Sequence, residues 1–305
     1  MPREILATLL PYLRAAAGYA CEIQSQIRSQ PEKEGTANFF ASALSDADLS
    51  VQTLVEVALL AHFPTLHFFG EEHERSYNTA YFPGIDFPAP VSESLPRPTE
   101  PEFLITLDPI DGTRFYLDGH SNFQIILTIL HPKHYEAVIA ITPAQQTYLF
   151  ALREQGVYQA PLSADLAEAK PYRIPPAEPV VLLGFGMGAV ADVLPCEVRV
   201  IQVAKDYQPN HPIPNVSGIL TGELAAVALA KGNWIDGGAI AFLAQTAGYI
   251  VSDLQGDPLP EPQSCGDRCF SGMIIAADEE WHQLLLAAVS SANSPPQASS
   301  NKSIT

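Results

Sequence analysis

The chain predicts an α/β or α+β protein with helices layered against two sheets, and three observations carry that prediction. Residues 4–29 place Ile5, Leu9, Leu13, Ala16, Ala20, Ile23 and Ile27 at helical spacing, an amphipathic opening helix. Between 123 and 159, four short apolar runs (123–130, 135–141, 146–150, 155–159) are separated by turn signals such as His131-Pro132 and Thr142-Pro143, the pattern of antiparallel strands. From residue 179 onward, strand-like and helix-like runs alternate. At 305 residues the chain exceeds the usual single core, so two parts are expected: an N-terminal α+β domain over 1–165 and a C-terminal α/β domain over 175–290.

In order along the chain, the polar stretch from Pro31 to Asn38 breaks the first helix. A second helix runs from about Asp46 to Phe63-Pro64, with Leu49, Leu54, Val57, Ala58 and Ala61 expected to face inward. Leu66 to Phe69 reads as a strand ending at Gly70-Glu71-Glu72. Residues 76–102 hold many prolines and little periodicity, so a surface excursion is expected before the strand at 103–107. Residues 160–178 read as a connector. The second half then predicts strands at 179–185, 197–203, 249–252 and 272–276, with helices near 188–194, 221–231, 237–247 and 279–290. From Ser290 the composition turns to Ser, Pro, Asn and Gln, so 291–305 is expected to be a disordered tail.

Sixteen basic against 34 acidic residues give a formal charge of −18. That field repels polyanions and excludes a nucleic acid polymer or an anionic membrane as the natural partner. A small phosphate ester remains compatible if a local cation screens the carboxylates. No run of about 18 apolar residues is present, and the first residues lack the compact apolar core of a signal peptide. The four cysteines (Cys21, Cys196, Cys265, Cys269) are too scattered for a disulfide scaffold, and Cys265 and Cys269 lack two further zinc ligands, so reduced thiols are expected. These features together predict a cytoplasmic location.

The run Leu107-Asp108-Pro109-Ile110-Asp111-Gly112-Thr113 is the chemically richest in the chain. It sets two carboxylates three residues apart across a proline, followed by a glycine and a hydroxyl. Pro109 is not expected to continue a central strand and Gly112 permits a sharp turn, so the carboxylates should stand where the strand opens into a loop. Clustered carboxylates need a positive partner, and Mg²⁺ prefers carboxylate, carbonyl and water oxygens. The Ile110 carbonyl is a candidate third oxygen. Two more acidic sites stand at element ends: Glu71-Glu72 after the first strand, and Asp236 ahead of Gly237-Gly238-Ala239. Asp236 is also a natural helix cap, and Glu71-Glu72 alone suits a solvated loop. Backbone N–H groups at Gly112-Thr113, opening toward a helix, suit phosphate oxygens.

Taken in order, these segments resemble the inositol monophosphatase superfamily of Mg²⁺-dependent, lithium-sensitive phosphatases. The likeness rests on Phe69-Gly70-Glu71-Glu72, on Leu107 through Thr113, and on Asp236 followed by Ala247-Gly248. Ser45-Asp46-Ala47-Asp48 is similar to the family's threonine-x-x-aspartate segment, and the strands from 123 to 159 follow its pattern. The resemblance implies a layered αβαβα sandwich of the inositol monophosphatase/fructose-1,6-bisphosphatase type. It implies two or three Mg²⁺ ions held by Glu71, Asp108, Asp111, Asp236 and the Ile110 carbonyl. It further implies Thr113, with Asp48 behind it, as the group that orients the attacking water, with Glu72 counted among the catalytic residues. Gly112, Thr113 and Arg114 are the expected substrate contacts. A small polyol, sugar or nucleotide phosphate is the expected substrate, and a homodimer is left open.

The departures from the pattern are local. Ile235 rather than a tryptophan directly precedes Asp236, with Trp234 one place earlier, and Leu229 stands where inositol-specific members carry an acid. Thr113 is followed by Arg114-Phe115-Tyr116, more like the branch acting on 3′-phosphoadenosine nucleotides, so a 3′(2′),5′-bisphosphate nucleotidase is the alternative activity. The simplest alternative reading of Arg114 is a surface ion pair with Asp118. A non-catalytic, ligand-binding member is the alternative of another class, against which stands the complete acidic set. Val180 to Gly188 superficially suggests a dinucleotide loop, but its G-x-G-x-G spacing fits a tight strand-to-helix turn better. His62, His67 and His73 are expected to pack rather than to bind metal.

Overall fold

The computed structural model describes residues 1–27, 43–72 and 103–292. The break at 31–38, His73, the excursion expected over 76–102 and all but the start of the expected tail lie outside those residues. Helix α1 (Pro2–Ile23) turns Ile5, Leu6, Leu9, Leu10, Leu13, Ala16, Ala17 and Ala20 into the core. It stops short of the 29 expected. Beyond it the Gln24 side-chain amide donates to the carbonyls of Tyr116 (3.0 Å) and His120 (2.8 Å), which ties the helix end to the rest of the chain.

Helix α2 (Asp46–His62) opens on a capping box in which Ser45 accepts from the Ala47 amide and Asp48 accepts from the Ser45 amide. Its buried face is Ala47, Asp48, Leu49, Val51, Gln52, Val55, Ala58 and Leu59. Leu54, Val57 and Ala61 of the expected inward set are exposed instead. Those three positions lie around the helix from Val51, Val55 and Ala58, and only one stripe can meet α1 and the sheet.

Seven strands follow in chain order and pair in that order: β1 (His67–Gly70), β2 (Leu104–Asp111), β3 (Gln124–His131), β4 (His134–Thr142), β5 (Thr147–Leu152), β6 (Gly156–Pro161) and β7 (Lys170–Pro171). β1 and β2 are parallel and the rest antiparallel. Between β2 and β3 lies the single-turn helix α3 (Thr113–Leu117).

β2 corrects one expectation, because it continues through Pro109 to Asp111 rather than opening into a loop at Asp108. The β1 pairing ends at Leu107, and the ladder to β3 is irregular between Asp108 and Asp111. Neither neighbour therefore asks Pro109 for an amide hydrogen, and the bulge turns the two aspartates out of strict alternation.

The second sheet runs β12-β14-β10-β8-β9, built from β8 (Val180–Leu183), β9 (Arg199–Gln202), β10 (Ala226–Leu229), β12 (Ile250–Ser252) and β14 (Met273–Ala276). A small ribbon pairs β11 (Gly232–Asn233) with β13 (Cys269–Phe270). The helix expected at 221–231 is absent. One helical turn at Gly218–Thr221 is followed by β10, whose four residues are all buried between β8 and β14. Alanine-rich sequence favours a helix locally, but a strand covered on both faces takes any small apolar run. The expected helix near 188–194 is a single turn, Gly188–Ala191.

Helices α4 (Gly237–Ala247) and α5 (Glu279–Ala292) complete the layers. α5 carries through Ser291 and Ala292, two residues into the expected tail. Three apolar cores separate five layers. The first joins α1 and α2 to one face of the seven-stranded sheet. The second joins the other face to α4 and the five-stranded sheet. The third packs α5 on the far side of that sheet. This is the αβαβα order that the resemblance implied. Among the described residues no helix is long and apolar enough to cross a membrane.

Candidate active site

The carboxylates expected to act together arrive from three separate elements. Glu71 follows β1, and its amide donates to the Leu107 carbonyl at 2.9 Å, so the end of β1 is fastened to β2 just before Asp108. Asp108 and Asp111 stand on the bulged end of β2. Asp236 caps α4, its carboxylate accepting from the Gly237 amide. Its role as a helix cap and its place in the acidic cluster are thus both realised.

The electrostatics record the crowding. Asp108 is 3% exposed. Burial first, and then the charges of Glu71, Asp111, Asp236 and Asp48, hold its carboxyl well above the usual range. Asp111 is pushed up to about 7, by burial and then by Asp236, with a hydrogen bond from Asn215 opposing. Asp236 is pushed up to about 6 by burial, against hydrogen bonds from the Gly237 amide and Asn233. Several acids thus share one pocket, and each raises the cost of ionising the next.

Thr113 and Asp48, 65 residues apart, meet directly. The Thr113 hydroxyl lies 2.9 Å from Asp48 Oδ1 and 3.0 Å from the Ile110 carbonyl, and can donate to either. Asp48 is fully buried, and its other oxygen accepts from the Ser45 amide (2.8 Å) and the Ser45 hydroxyl (2.5 Å). The capping box of α2 therefore also fixes the carboxylate behind Thr113. Gly112 makes the turn between them at φ +86°, a region that costs an L side chain about 1–2 kcal/mol.

Of the other expected residues, Glu72 is buried, and its amide donates to Gln52 Oε1 at 2.9 Å. Gly70 leaves room for that glutamine, since a Cβ there would push the Gln52 side-chain amide out of place. Arg114 stands on α3 near the Tyr207 hydroxyl, whose pKa burial and then Asp118 raise while the Arg114 charge opposes them. Asp118 accepts the Tyr207 hydroxyl, in place of the ion pair with Arg114 considered from sequence. His62 hydrogen-bonds Tyr12 at 2.8 Å, a packing role as expected.

Two site residues escaped the sequence reading. Asn215 donates to Asp111 Oδ2 at 2.7 Å and Asn233 donates to Asp236 Oδ2 at 2.9 Å. Asn233 had a weak signal, a side-chain amide three residues before a helix cap. Asn215 had none, since it lies 104 residues from its partner.

The donor set suits a hard divalent cation, because it is all oxygen, anionic and largely sheltered. Glu71, Asp108, Asp111, Asp236 and the Ile110 carbonyl are the groups in reach of one another's charge or chain neighbourhood. Among the described residues, no three His, Cys, Asp or Glu side chains are drawn together into a finished ligand set. Asp111 and Asp236 instead spend oxygens on Asn215, Asn233 and Gly237.

The fold is similar to those of several solved structures. An IMPase from Thermotoga maritima superposes with a TM-score of 0.64 at 16% identity, over 93% of this chain and 95% of that one. An IMPase/NADP phosphatase complexed with Mg²⁺ and phosphate gives 0.61 at 14% identity, over 91% and 92%. An IMPase/NADP phosphatase complexed with NADP and Ca²⁺ gives 0.65 at 15% identity, over 94% and 95%. Among curated proteins, a glucose-1-phosphate thymidylyltransferase of Streptomyces griseus is 28% identical over 154 residues, 49% of this chain. The chain spans only 57% of that relative's length. The model of the inositol monophosphatase family matches residues 5–176, more than half of the sequence and every site residue up to Arg114. The chain belongs to the inositol monophosphatase family.

Proposed function

We propose that this protein is a Mg²⁺-dependent phosphomonoesterase that hydrolyses a small polyol, sugar or nucleotide phosphate by in-line attack of water. The observation that carries the reading is the Thr113 hydroxyl, held by buried Asp48 at the rim of the acidic cluster. Its hydrogen points to Asp48 or to the Ile110 carbonyl. The oxygen's lone pairs are then left to accept a hydrogen bond from the attacking water and aim it at phosphorus. Asp48 is pinned by Ser45 and keeps the hydroxyl in that orientation. The Gly112 and Thr113 amides, at the turn into α3, face the phosphate oxygens in this reading. Glu71, Asp108, Asp111, Asp236 and the Ile110 carbonyl would hold Mg²⁺. When bound, Mg²⁺ supplies a lowered water pKa, a clamp on the phosphate and stabilisation of the leaving oxygen. Glu72 is assigned a supporting catalytic part from its place beside Glu71.

The test is phosphate release by the purified protein from inositol phosphates, sugar bisphosphates, histidinol phosphate and 3′-phosphoadenosine 5′-phosphate, with Mg²⁺ and with chelator. Release that depends on Mg²⁺ supports the reading, and silence across the panel overturns it. Tight calorimetric binding of a phosphate ester without turnover would instead identify a non-catalytic binding member.

A further inference from the structure

Helix α2 meets the candidate site twice, at Asp48 and one turn later at Gln52. Side chains four residues apart stack on one stripe of a helix, about 6 Å apart along its axis, and both of these are buried. Asp48 holds the Thr113 hydroxyl. Gln52 holds a different part of the site: its side-chain oxygen accepts the Glu72 amide at 2.9 Å, across 20 residues of sequence. A backbone N–H requires an acceptor, so the carboxamide presents its oxygen to the turn and not its nitrogen. The same side chain passes so close to Gly70 that a Cβ there would meet its Cγ, Cδ and Oε1 together.

Glu71 and Glu72 form the turn that follows β1. Their two consecutive amides are held by two different layers of the fold. The Glu71 amide donates to the Leu107 carbonyl of β2 at 2.9 Å, and the Glu72 amide donates to Gln52 of α2. Leu107 directly precedes Asp108, so the first bond ties the turn to the strand that carries two of the acids. The second ties it to the helix that carries Asp48. Glu72 is buried, so without Gln52 its N–H would be a sheltered donor lacking an acceptor. The turn could relieve that cost only by moving toward another acceptor, and Glu71 would move with it. Mg²⁺ demands near-ideal octahedral geometry, so carboxylates drawn from three elements serve it only if each element is held in place.

We propose that Gln52 is a positioning residue for the metal site, clamping the Glu71-Glu72 turn so that Glu71 is presented to the cation the acidic cluster would hold. The inference rests on the Mg²⁺-dependent phosphatase reading above and adds a residue to its machinery. Gln52 touches neither cation nor substrate in this role and acts through the backbone of Glu72. Asp48 and Gln52 ride on one helix, so the group that holds the Thr113 hydroxyl and the group that holds the Glu71 turn keep a fixed spacing. Hydrogen bonds that support metal ligands in this way are worth about 10- to 100-fold in metal affinity.

The experiment measures binding of Mg²⁺ by calorimetry and of Mn²⁺ by electron paramagnetic resonance, beside phosphate release at varied Mg²⁺. Gln52→Met keeps the length and charge of the side chain but cannot accept the Glu72 amide. It should weaken Kd for either cation by about 10-fold and raise the Mg²⁺ needed for half-maximal activity by the same factor. Substrate KM and kcat at saturating Mg²⁺ should stay within about threefold of the parent's. Gln52→Glu keeps an acceptor at the same reach and should restore the cation Kd to the parent's value or below it. Gly70→Ala puts a Cβ where the Gln52 carboxamide lies and should weaken the cation as Gln52→Met does. An unchanged Kd in Gln52→Met overturns the inference, as it does in Gly70→Ala where Gln52→Met fails to fold. So does a loss that Gln52→Glu leaves in place. A packing role alone would lower the melting temperature without moving the Kd of the folded variant. Cation binding without phosphate release in the unmodified protein overturns the phosphatase reading alone, and the Kd comparison still decides the role of Gln52. No cation binding by the unmodified protein overturns both.

Discussion

Asp111→Asn separates the fold from the chemistry. Asparagine keeps the shape of the side chain, and its carbonyl oxygen can still accept the Asn215 amide that now lies 2.7 Å from Asp111 Oδ2. What disappears is one negative charge from a pocket where Asp108, Asp236 and Glu71 already repel it. Asp111 rises from 3.8 to about 7, and a pKa change costs about 1.4 kcal/mol per pH unit, so the ceiling is roughly 4 kcal/mol above pH 7. The side chain still reaches solvent and shares the repulsion with its neighbours, which brings the expected gain to about 1–2 kcal/mol. For a chain of this size that is a rise of roughly 1.5–3 °C in Tm at pH 8 in chelator. With Mg²⁺ the order should reverse, because the variant offers a weaker oxygen to the cation, and phosphate release should fall by at least about 100-fold. The assay pairs thermal melts in chelator and in Mg²⁺ with phosphate release. A variant that melts lower than the parent in chelator, or that keeps near-normal turnover at ordinary Mg²⁺, would refute the reasoning.

Other perturbations test separate parts of the site. Thr113→Ala should cut kcat by about 10²–10⁴ while leaving the melt close to the parent's, and Thr113→Ser should restore most of it; equal losses in both would show that the hydroxyl is not the working group. The melting temperature of the metal-free protein should fall as pH rises through 6 and 7. Asp236 (about 6) and Asp111 (about 7) bind protons more tightly folded than unfolded, so their stabilising contribution is complete below about 4 and lost above those values. Saturating Mg²⁺ should flatten that slope, and a slope of opposite sign in chelator would contradict the crowding described here. Asn215→Ala removes the donor that holds Asp111 down, so the Mg²⁺ concentration for half-maximal activity should rise severalfold. Gly112→Ala places a Cβ at φ +86° and 3.0 Å from the Phe115 ring, and should cost about 1–2 kcal/mol, read as a lowered urea midpoint.

Short-range signals carried much of this protein in its sequence. The periodicity of α2 and α5, the Asp236 cap of α4 and the four antiparallel strands from 124 to 161 are local patterns, and the fold follows them within a few residues. The order of the acidic segments was equally legible, but the pairing of Thr113 with Asp48 came from family resemblance and not from spacing, because nothing local links residues 65 apart. Tertiary structure alone decided the rest. Ala226–Leu229 reads as helix until β8 and β14 pair with both of its edges and two apolar cores cover its faces. Pro109 reads as a strand stop until the β1 pairing ends at Leu107 and leaves no partner to miss its amide. Asn215 reaches Asp111, and Gln52 reaches Glu72, across separations that no local pattern encodes. Backbone propensity and periodicity act over a few residues, whereas the charge balance of a buried site is set by whatever the folded layers bring beside it.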